Sequence, residues 1–154
     1  DLETGLVKPA EVLLIEDNEG DVRLTQEVLK SSLIVNTLHV ARDGQQALDF
    51  LRRQESYASA PVPDLILLDL NLPKVDGREI LSWIRGNDET RLIPVIVMTT
   101  SKDEEDVVNS YSQHANCYVR KPIDLQNLVD VLAQIERFWL QIVLLPPKHR
   151  DHGA

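Results

Sequence analysis

Five side chains that could act together in metal or phosphoryl chemistry stand just after apolar segments of this sequence. Glu16 and Asp17 follow the first segment, Asp69 the third, Thr99 the fourth and Lys121 the fifth. When it occurs alone, an acid in such a place is most often a helix cap or a solvated loop charge. Three acids, a hydroxyl and a lysine after four different segments are much harder to attribute to chance.

The chemistry that this set supports follows from its charges. Clustered carboxylates repel one another unless a cation or a proton joins them. Ligand sets of oxygen alone, without histidine or cysteine, favour Mg²⁺. Lys121 and a hydroxyl would suit an anion that also touches the metal, which is how proteins stabilise a phosphoryl group in transfer. A carboxylate can also be the nucleophile, and the product is then an aspartyl phosphate.

These side chains need a fold that brings them to one place. Short apolar runs predict five strands, at about residues 12–15, 37–40, 64–70, 93–98 and 117–119. Helical spacing predicts helices at about 18–32, 44–54 and 103–114, one that ends near 85 and a last one that begins near 124. Five alternations of strand and helix predict a parallel sheet with helices on both faces. Such sheets bind ligands beyond the carboxyl ends of their strands, where the strand order switches.

The composition excludes several classes of function. The 154 residues carry a net charge of −9 at pH 7. An acidic surface repels phosphate backbones, so we do not expect nucleic acid as a partner. No apolar run approaches the roughly 18 residues of a membrane span, and no signal peptide is visible. We therefore expect a cytoplasmic protein without a membrane partner, and the single cysteine, Cys117, excludes an internal disulfide.

The motifs of the sequence, in their order and spacing, resemble the two-component receiver domain over residues 11–135. They are Leu-Leu-Ile-Glu-Asp-Asn at 13–18, Leu-Ile-Leu-Leu-Asp-Leu-Asn-Leu-Pro at 65–73, Asp-Gly at 76–77, Pro-Val-Ile-Val-Met-Thr at 94–99 and Tyr-Val-Arg-Lys-Pro at 118–122. As an ordered set these motifs are highly specific. The resemblance implies an α/β receiver domain over residues 10–136, with a doubly wound, five-stranded parallel sheet of the flavodoxin-like (βα)5 type.

The resemblance also implies a role for each site residue. Asp69 would accept a phosphoryl group from a sensor histidine kinase, and Lys121 would contact a phosphoryl oxygen. Mg²⁺ would be bound by Asp17, Asp69 and the backbone carbonyl of Asn71, with Glu16 acting mainly through a metal-bound water. Such a protein is not an enzyme in the ordinary sense, because it would catalyse only its own phosphorylation and slow dephosphorylation.

Two further residues would respond to the phosphoryl group once it is present. Thr99 would hydrogen-bond a phosphoryl oxygen, and Tyr118 would swing inward behind Thr99. The Lys121–Pro122 bond is expected to be cis, which an X–Pro bond tolerates at low cost. Gly77 would permit a tight approach of the preceding loop to the next helix.

A narrower likeness concerns the small regulators that are paired with cyanobacterial phytochromes. It is carried by the segments 69–79, 98–101, 116–118 and 138–140. There the kinase would be a red/far-red photoreceptor.

Two positions differ from the commonest receiver pattern. Glu16 stands in place of an aspartate, which should preserve the metal site, and Thr100 is bulkier than the usual residue, which would restrict access of water and small phosphodonors.

Two other interpretations use the same acids. A different magnesium enzyme, such as a phosphotransferase with a nucleophilic aspartate or a Toprim-type nuclease, would usually carry a second acid two residues later, where this chain has Asn71. A binding module of this fold that works without phosphorylation would normally have lost Asp69, Asp17 or Lys121, and all three are present. Both interpretations stay open as alternatives at this point.

The C-terminal segment is more apolar than one domain needs. One helical stripe, which can cover the sheet, consists of Leu125, Leu128, Leu132, Ile135, Trp139 and Ile142. Val131, Phe138 and Leu145 lie on an adjacent stripe. Because large apolar patches are unusual on monomers, we expect residues 137–147 to form a two-fold homodimer contact. Its expected anchors are Phe138, Trp139 and Leu140, and the alternative is that the segment folds back on its own domain.

The remaining expectations concern the chain as a whole. Residues 148–154 are expected to be a disordered tail. No output domain is recognisable after the receiver domain, so we expect a stand-alone response regulator. It would signal through phosphorylation-dependent binding of a downstream protein that the sequence does not identify.

Overall fold

The computed structural model of the chain describes residues 8–110 and 115–144, and for residues 107, 110 and 138–144 it describes the backbone alone. The strands are β1 (Ala10–Ile15), β2 (Asn36–Ala41), β3 (Leu65–Asp69), β4 (Val95–Thr99) and β5 (Cys117–Arg120). The helices are α1 (Glu19–Lys30), α2 (Gly44–Arg52), α3 (Gly77–Gly86), α4 (Lys102–Ser110) and α5 (Leu125–Leu144), with a short 3₁₀ helix at Glu55–Tyr57. The predicted alternation of strands and helices is confirmed.

The five strands form one parallel sheet in the order β2-β1-β3-β4-β5. The strand order switches between β1 and β3, because the chain goes to one side of β1 first and to the other side afterwards. At this switch Ile15 pairs with Leu68, so the residues that follow them stand side by side. This is the doubly wound receiver fold that the sequence predicts, and it places the acids at the switch.

Two apolar cores lie on opposite faces of the sheet. One core is formed with α2, α3 and α4 and includes Leu13, Phe50, Leu68, Ile80 and Val97. The other is formed with α1 and α5 and includes Leu14, Val22, Leu67, Leu128 and Leu132. Because β1, β3 and β4 lie between the two cores, their residues are apolar on both faces.

Side-chain caps fix where three of the helices begin. The side chain of Asn18 accepts from the amide of Asp21 ahead of α1. Asp43 accepts from the amide of Gln46 at 2.8 Å ahead of α2, and Asp76 caps α3 in the same manner. Each cap satisfies an amide that the first turn of a helix leaves without a partner. The caps therefore fix the direction in which the chain leaves the carboxyl edge of the sheet.

Two details of the predicted helices are wrong. Leu125 does not cover the sheet but is 50% exposed, because it is the first residue of α5 and lies in a groove against α1 with Leu33 and Val129. Val131 does not add to an outer stripe, because it is buried in the core between α5 and the sheet. The last helix therefore uses a different set of residues to cover the sheet.

Some boundaries also differ from the prediction. β4 begins at Val95 rather than Ile93, because Pro94 has no amide to donate to a ladder. The predicted end of the helix at 103–114 lies outside the described residues, and α4 is described to Ser110. α5 continues without a break across the predicted boundary at 136/137 as far as Leu144. The end of the predicted extension, with Leu145, and the tail at 148–154 lie outside the described residues.

Candidate functional site

A lysine and three carboxylates meet beyond the carboxyl ends of β1, β3 and β5. The Nζ atom of Lys121 lies 2.7 Å from Oε1 of Glu16, 3.0 Å from Oδ2 of Asp69 and 3.0 Å from Oδ2 of Asp21. Glu16 and Asp69 come together because β1 and β3 are neighbours in register. Lys121 follows β5, and its amide donates to the carbonyl of Thr99 at 2.7 Å. The peptide bond from Lys121 to the following proline is cis, as predicted.

The environment of the cluster shifts the pKa of Glu16 and that of Lys121. Glu16 is fully buried and Asp69 is 2% exposed. Burial, together with the neighbouring Asp69, raises the pKa of Glu16 to about 7, against the opposing effect of Lys121. Burial alone would lower the pKa of Lys121, but the adjacent carboxylates of Glu16, Asp69 and Asp21 raise it overall. The ammonium group is therefore charged and is shared among several carboxylates.

The cluster fits a divalent cation. Glu16, Asp17 and Asp69 each offer a carboxylate oxygen, and these oxygens lie within 4.8 Å of one another. Oε1 of Glu16 is buried and accepts no aligned hydrogen bond, so its contact with Lys121 is an ion pair alone. A buried oxygen of this kind, an all-oxygen donor set and an exposed Asp17 that leaves room for water together suit Mg²⁺. The role of the Asn71 backbone carbonyl as a further ligand of the metal stays a prediction.

The loop after β3 holds Asp69 in place. The amide of Asn71 donates to Oδ1 of Asp69 at 2.9 Å. Gly77 begins α3 so close to this loop that a Cβ atom there would lie 2.6 Å from Cα of Leu70 and 2.7 Å from the carbonyl oxygen of Asp69. The predicted tight approach at Gly77 is thus confirmed, and it acts on the backbone of Asp69 itself.

The hydroxyl of Thr99 is bound to a side chain that the sequence analysis did not single out. Oγ1 of Thr99 donates to Oε1 of Glu104 in α4 at 2.7 Å. The same carboxylate oxygen accepts from the amide of Thr100 at 3.0 Å and from its hydroxyl at 2.9 Å. Partial burial opposes the ionisation of Glu104, but the hydroxyls of Thr99 and Thr100 lower its pKa overall. Thr99 therefore stands at the predicted strand end, with its proton directed to α4.

Tyr118 is half-buried on β5, and its hydroxyl donates to Oδ1 of Asn109 in α4 at 2.7 Å. Burial raises the pKa of Tyr118, and the charges of Glu105 and Asp106 add to this. Both residues that are predicted to sense a phosphoryl group, Thr99 and Tyr118, are thus tied to α4. Their predicted rearrangement stays a prediction.

The sequence analysis did not assign two residues to the site, although each of them stands at a position that a known helix-start pattern marks. Asp21 lies in the first turn of α1, where acids favour helix starts, and this place brings it to Lys121. Glu104 stands three residues after Ser101, the spacing of a capping box. The amide of Glu104 does donate to Oγ of Ser101 at 3.2 Å. The expected anchors Phe138, Trp139 and Leu140 lie on the backbone of α5, and their side chains are outside the description.

The fold and the acidic cluster are those expected of a receiver domain, and comparison with known families agrees. Residues 12–133 match the response regulator receiver domain. The chain belongs to this family, because the match covers most of its length.

Within the family the chain is similar to cyanobacterial phytochrome response regulators. It is 51% identical over 138 residues to response regulator Rcp1 of Synechocystis sp. PCC 6803, which covers 90% of this chain and 94% of that protein. The Mn²⁺-bound crystal structure of Rcp1 superposes with a TM-score of 0.74, over 90% of this chain and 99% of that one. The phosphorylated cyanobacterial phytochrome response regulator RcpA has 45% identity and a TM-score of 0.75, with the same shares covered. Among the described residues, no helix is long and apolar enough to cross a membrane.

Proposed function

We propose that this protein accepts a phosphoryl group on Asp69 from a sensor histidine kinase, with Mg²⁺ as its cofactor. The observation that carries the proposal is the contact between the Asp69 carboxylate and the ammonium of Lys121 at 3.0 Å, beside two further acids. A buried carboxylate that is held by a lysine and open to a cation is suited to attack phosphorus and to share the resulting charge.

In the proposed reaction an oxygen of Asp69 attacks the phosphorus atom, and the bond from phosphorus to the histidine nitrogen of the kinase breaks. Lys121 neutralises one phosphoryl oxygen. Glu16, Asp17, Asp69 and the carbonyl of Asn71 would hold the cation, which when bound neutralises charge that develops on the phosphoryl oxygens. The amide of Asn71 keeps Asp69 oriented through its bond to Oδ1.

The donor would be a phytochrome kinase. Support comes from the similarity to Rcp1 and to RcpA, which is a cyanobacterial phytochrome response regulator. The output would be binding of a further protein that depends on phosphorylation, through the surface that α4 and β5 form around Tyr118. The protein would act in the cytoplasm and catalyse only its own phosphorylation and dephosphorylation.

The test is uptake of one phosphoryl group, measured by intact mass. The wild type is incubated with Mg²⁺ and either acetyl phosphate or an autophosphorylated phytochrome kinase. We expect a gain of one phosphoryl group that is lost in Asp69→Asn and in the presence of a chelator. Asp130→Asn, a change to an exposed acid on α5, is the matched control and should label like the wild type.

Labelling of Asp69→Asn to the wild-type level would refute the proposal. A wild type that takes up no phosphoryl group from either donor would favour the alternative, a receiver fold that binds partners without phosphorylation. Turnover of a separate substrate would instead indicate a different magnesium enzyme.

A homodimer through the C-terminal half of α5 is the second part of the proposal. Because α5 continues to Leu144, nine residues beyond Ile135, the last core residue among the described side chains, it offers a helix for a two-fold contact. A chain that ends at Arg137 keeps the bond from Ser32 to Glu136 and should be monomeric in sedimentation, whereas the full chain should be dimeric. Equal dimerisation of both chains, or a monomeric full chain with and without phosphorylation, would contradict this.

A further inference from the structure

The hydroxyl of Thr99 can donate one hydrogen bond, and it donates this bond to the carboxylate of Glu104. The distance from Oγ1 to Oε1 is 2.7 Å, shorter than the 3.1 Å to the other acceptor within reach, the carbonyl of Ser101. A hydrogen bond to an ionised acceptor is about twice as strong as one between neutral groups. Since a hydroxyl donates only once, it cannot serve Glu104 and a phosphoryl oxygen at the same time.

Glu104 is bound more firmly than a capping residue needs to be. In a capping box the carboxylate accepts from the amide of the capping residue, but here the amide of the capping residue, Ser101, donates to Oγ1 of Thr99 at 3.3 Å. The carboxylate of Glu104 accepts instead from the amide of Thr100, one residue earlier. The two hydroxyls of Thr99 and Thr100 add two bonds to the same oxygen. Thr100 in turn accepts at 3.4 Å from the side-chain amide of Asn71, which flanks Asp69. The carboxylate in α4 is thus connected to the edge of the site through two threonines.

We propose that Glu104 is a positioning residue which competes with the phosphoryl group of Asp69 for the hydroxyl of Thr99, and so sets how tightly the site binds a phosphoryl group. The inference rests on the proposed phosphorylation of Asp69. It does not concern Mg²⁺, because Glu104 is not among the acids whose oxygens cluster as a possible cation site.

The consequence is a defined effect of one substitution. Glu104→Gln keeps an oxygen that can accept from the amide of Thr100, so the helix start is retained, but it removes the charge that holds the Thr99 proton. The cost of turning Thr99 to the phosphoryl group falls. We expect about tenfold tighter binding of a phosphoryl analogue, because the difference in net free energy between a charged and a neutral hydrogen bond, about 1.4 kcal/mol, corresponds to a factor of about ten in affinity.

The probe is beryllofluoride in the presence of Mg²⁺, with its bound and free forms measured by ¹⁹F NMR on the full chain. The wild type, Glu104→Gln and Asp103→Asn are compared. Asp103 is exposed and lies in the same turn of α4, so its substitution removes the same charge without touching Thr99. We expect Glu104→Gln to bind about tenfold more tightly than the wild type, and Asp103→Asn to match the wild type. Affinity for Mg²⁺ alone should be equal in all three proteins.

A double substitution separates competition from simple charge removal. Thr99→Val keeps the shape of the side chain and removes its proton, so adding Glu104→Gln to it should leave the affinity unchanged. If Glu104→Gln tightens binding equally with and without Thr99→Val, or leaves the wild-type affinity unchanged, the inference is overturned. If the wild type itself does not bind beryllofluoride, the proposed function fails instead. Thermal unfolding checks the fold, and should Glu104→Gln not fold, Glu104→Asp, whose carboxylate is withdrawn from Thr99, must give the same tightening.

Discussion

Replacing Asp69 by asparagine should make the metal-free protein more stable, although it removes the proposed phosphoacceptor. Asp69 and Glu16 are both buried and share the ammonium of Lys121. Asparagine keeps the shape of the side chain and an oxygen for the amide of Asn71. Lys121 keeps Glu16 and Asp21 as partners. The substitution therefore removes a charge without leaving the lysine unpaired.

The size of the effect follows from the distances. At 3.0 Å, Lys121 attracts Asp69 by about 5.5 kcal/mol at an effective dielectric constant near 20. Glu16, when ionised and at most 4.8 Å away, repels Asp69 by at least about 3.5 kcal/mol at the same dielectric constant. Asp17 is exposed, so water screens its charge, and its repulsion adds only about 1 kcal/mol. Attraction and repulsion nearly cancel, so the cost of taking the carboxylate out of water, several kcal/mol per ion, is left without compensation. We expect the free energy of unfolding to rise by about 1–3 kcal/mol.

The assay is urea unfolding, followed by circular dichroism, in a chelator and again in saturating Mg²⁺. At one hundred times its dissociation constant the cation should stabilise the wild type by about 2.7 kcal/mol and Asp69→Asn by less, so the advantage of the variant should shrink or reverse. Asp130→Asn serves as the control and should stay within about 0.5 kcal/mol of the wild type. An Asp69→Asn protein that is less stable than the wild type in chelator would refute the electrostatic reasoning.

The remaining predictions concern helix starts. Asp43→Ala should cost about 1 kcal/mol at neutral pH by urea unfolding. The amide of Gln46 is the main cause that lowers the pKa of Asp43 below 3.8, so this cost should be complete well above pH 3.8 and fade as the pH falls through the folded-state pKa; a cost independent of pH would contradict it. Gly77→Ala should cost about 1–3 kcal/mol by overpacking, because its Cβ would lie 2.6 Å from Leu70. Gly86→Ala, in the same helix with nothing within 4 Å of its Cβ, should cost nothing in thermal unfolding, and equal losses in both would show that the close approach is not the cause.

The sequence predicts well which residues lie at the carboxyl edge of the sheet, because the ends of neighbouring parallel strands stand side by side. Once β1 and β3 are neighbours, the acids after Ile15 and Leu68 must meet, whatever the helices do. The lysine after β5 stands at the same edge, but β4 separates β5 from β3, so the long side chain of Lys121 has to reach past β4 to Asp69. These residues are placed by the backbone, and the backbone follows from the apolar runs.

Other contacts depend on side-chain torsions, which apolar spacing does not determine. The bond between Thr99 and Glu104 requires a particular rotamer on each side and the local start of α4. The capping spacing from Ser101 could indicate the helix start, but not that the carboxylate would also reach Thr99. Leu125 shows the same limit, because helical periodicity cannot tell where the sheet beneath a helix ends.

The start of α2 against the loop after β3 constrains which sequences this fold can accept. A Cβ atom at position 44 would lie 2.5 Å from Cβ of Val75, but also 2.7 Å from its carbonyl oxygen and 3.1 Å from its Cα. Because two of these three atoms are backbone, no smaller side chain at position 75 relieves the clash. If both positions were randomised together in a selection for folded protein, position 75 should vary while position 44 returns as glycine. Position 75 therefore tolerates substitution and position 44 does not, and no substitution at position 75 compensates for a side chain at position 44.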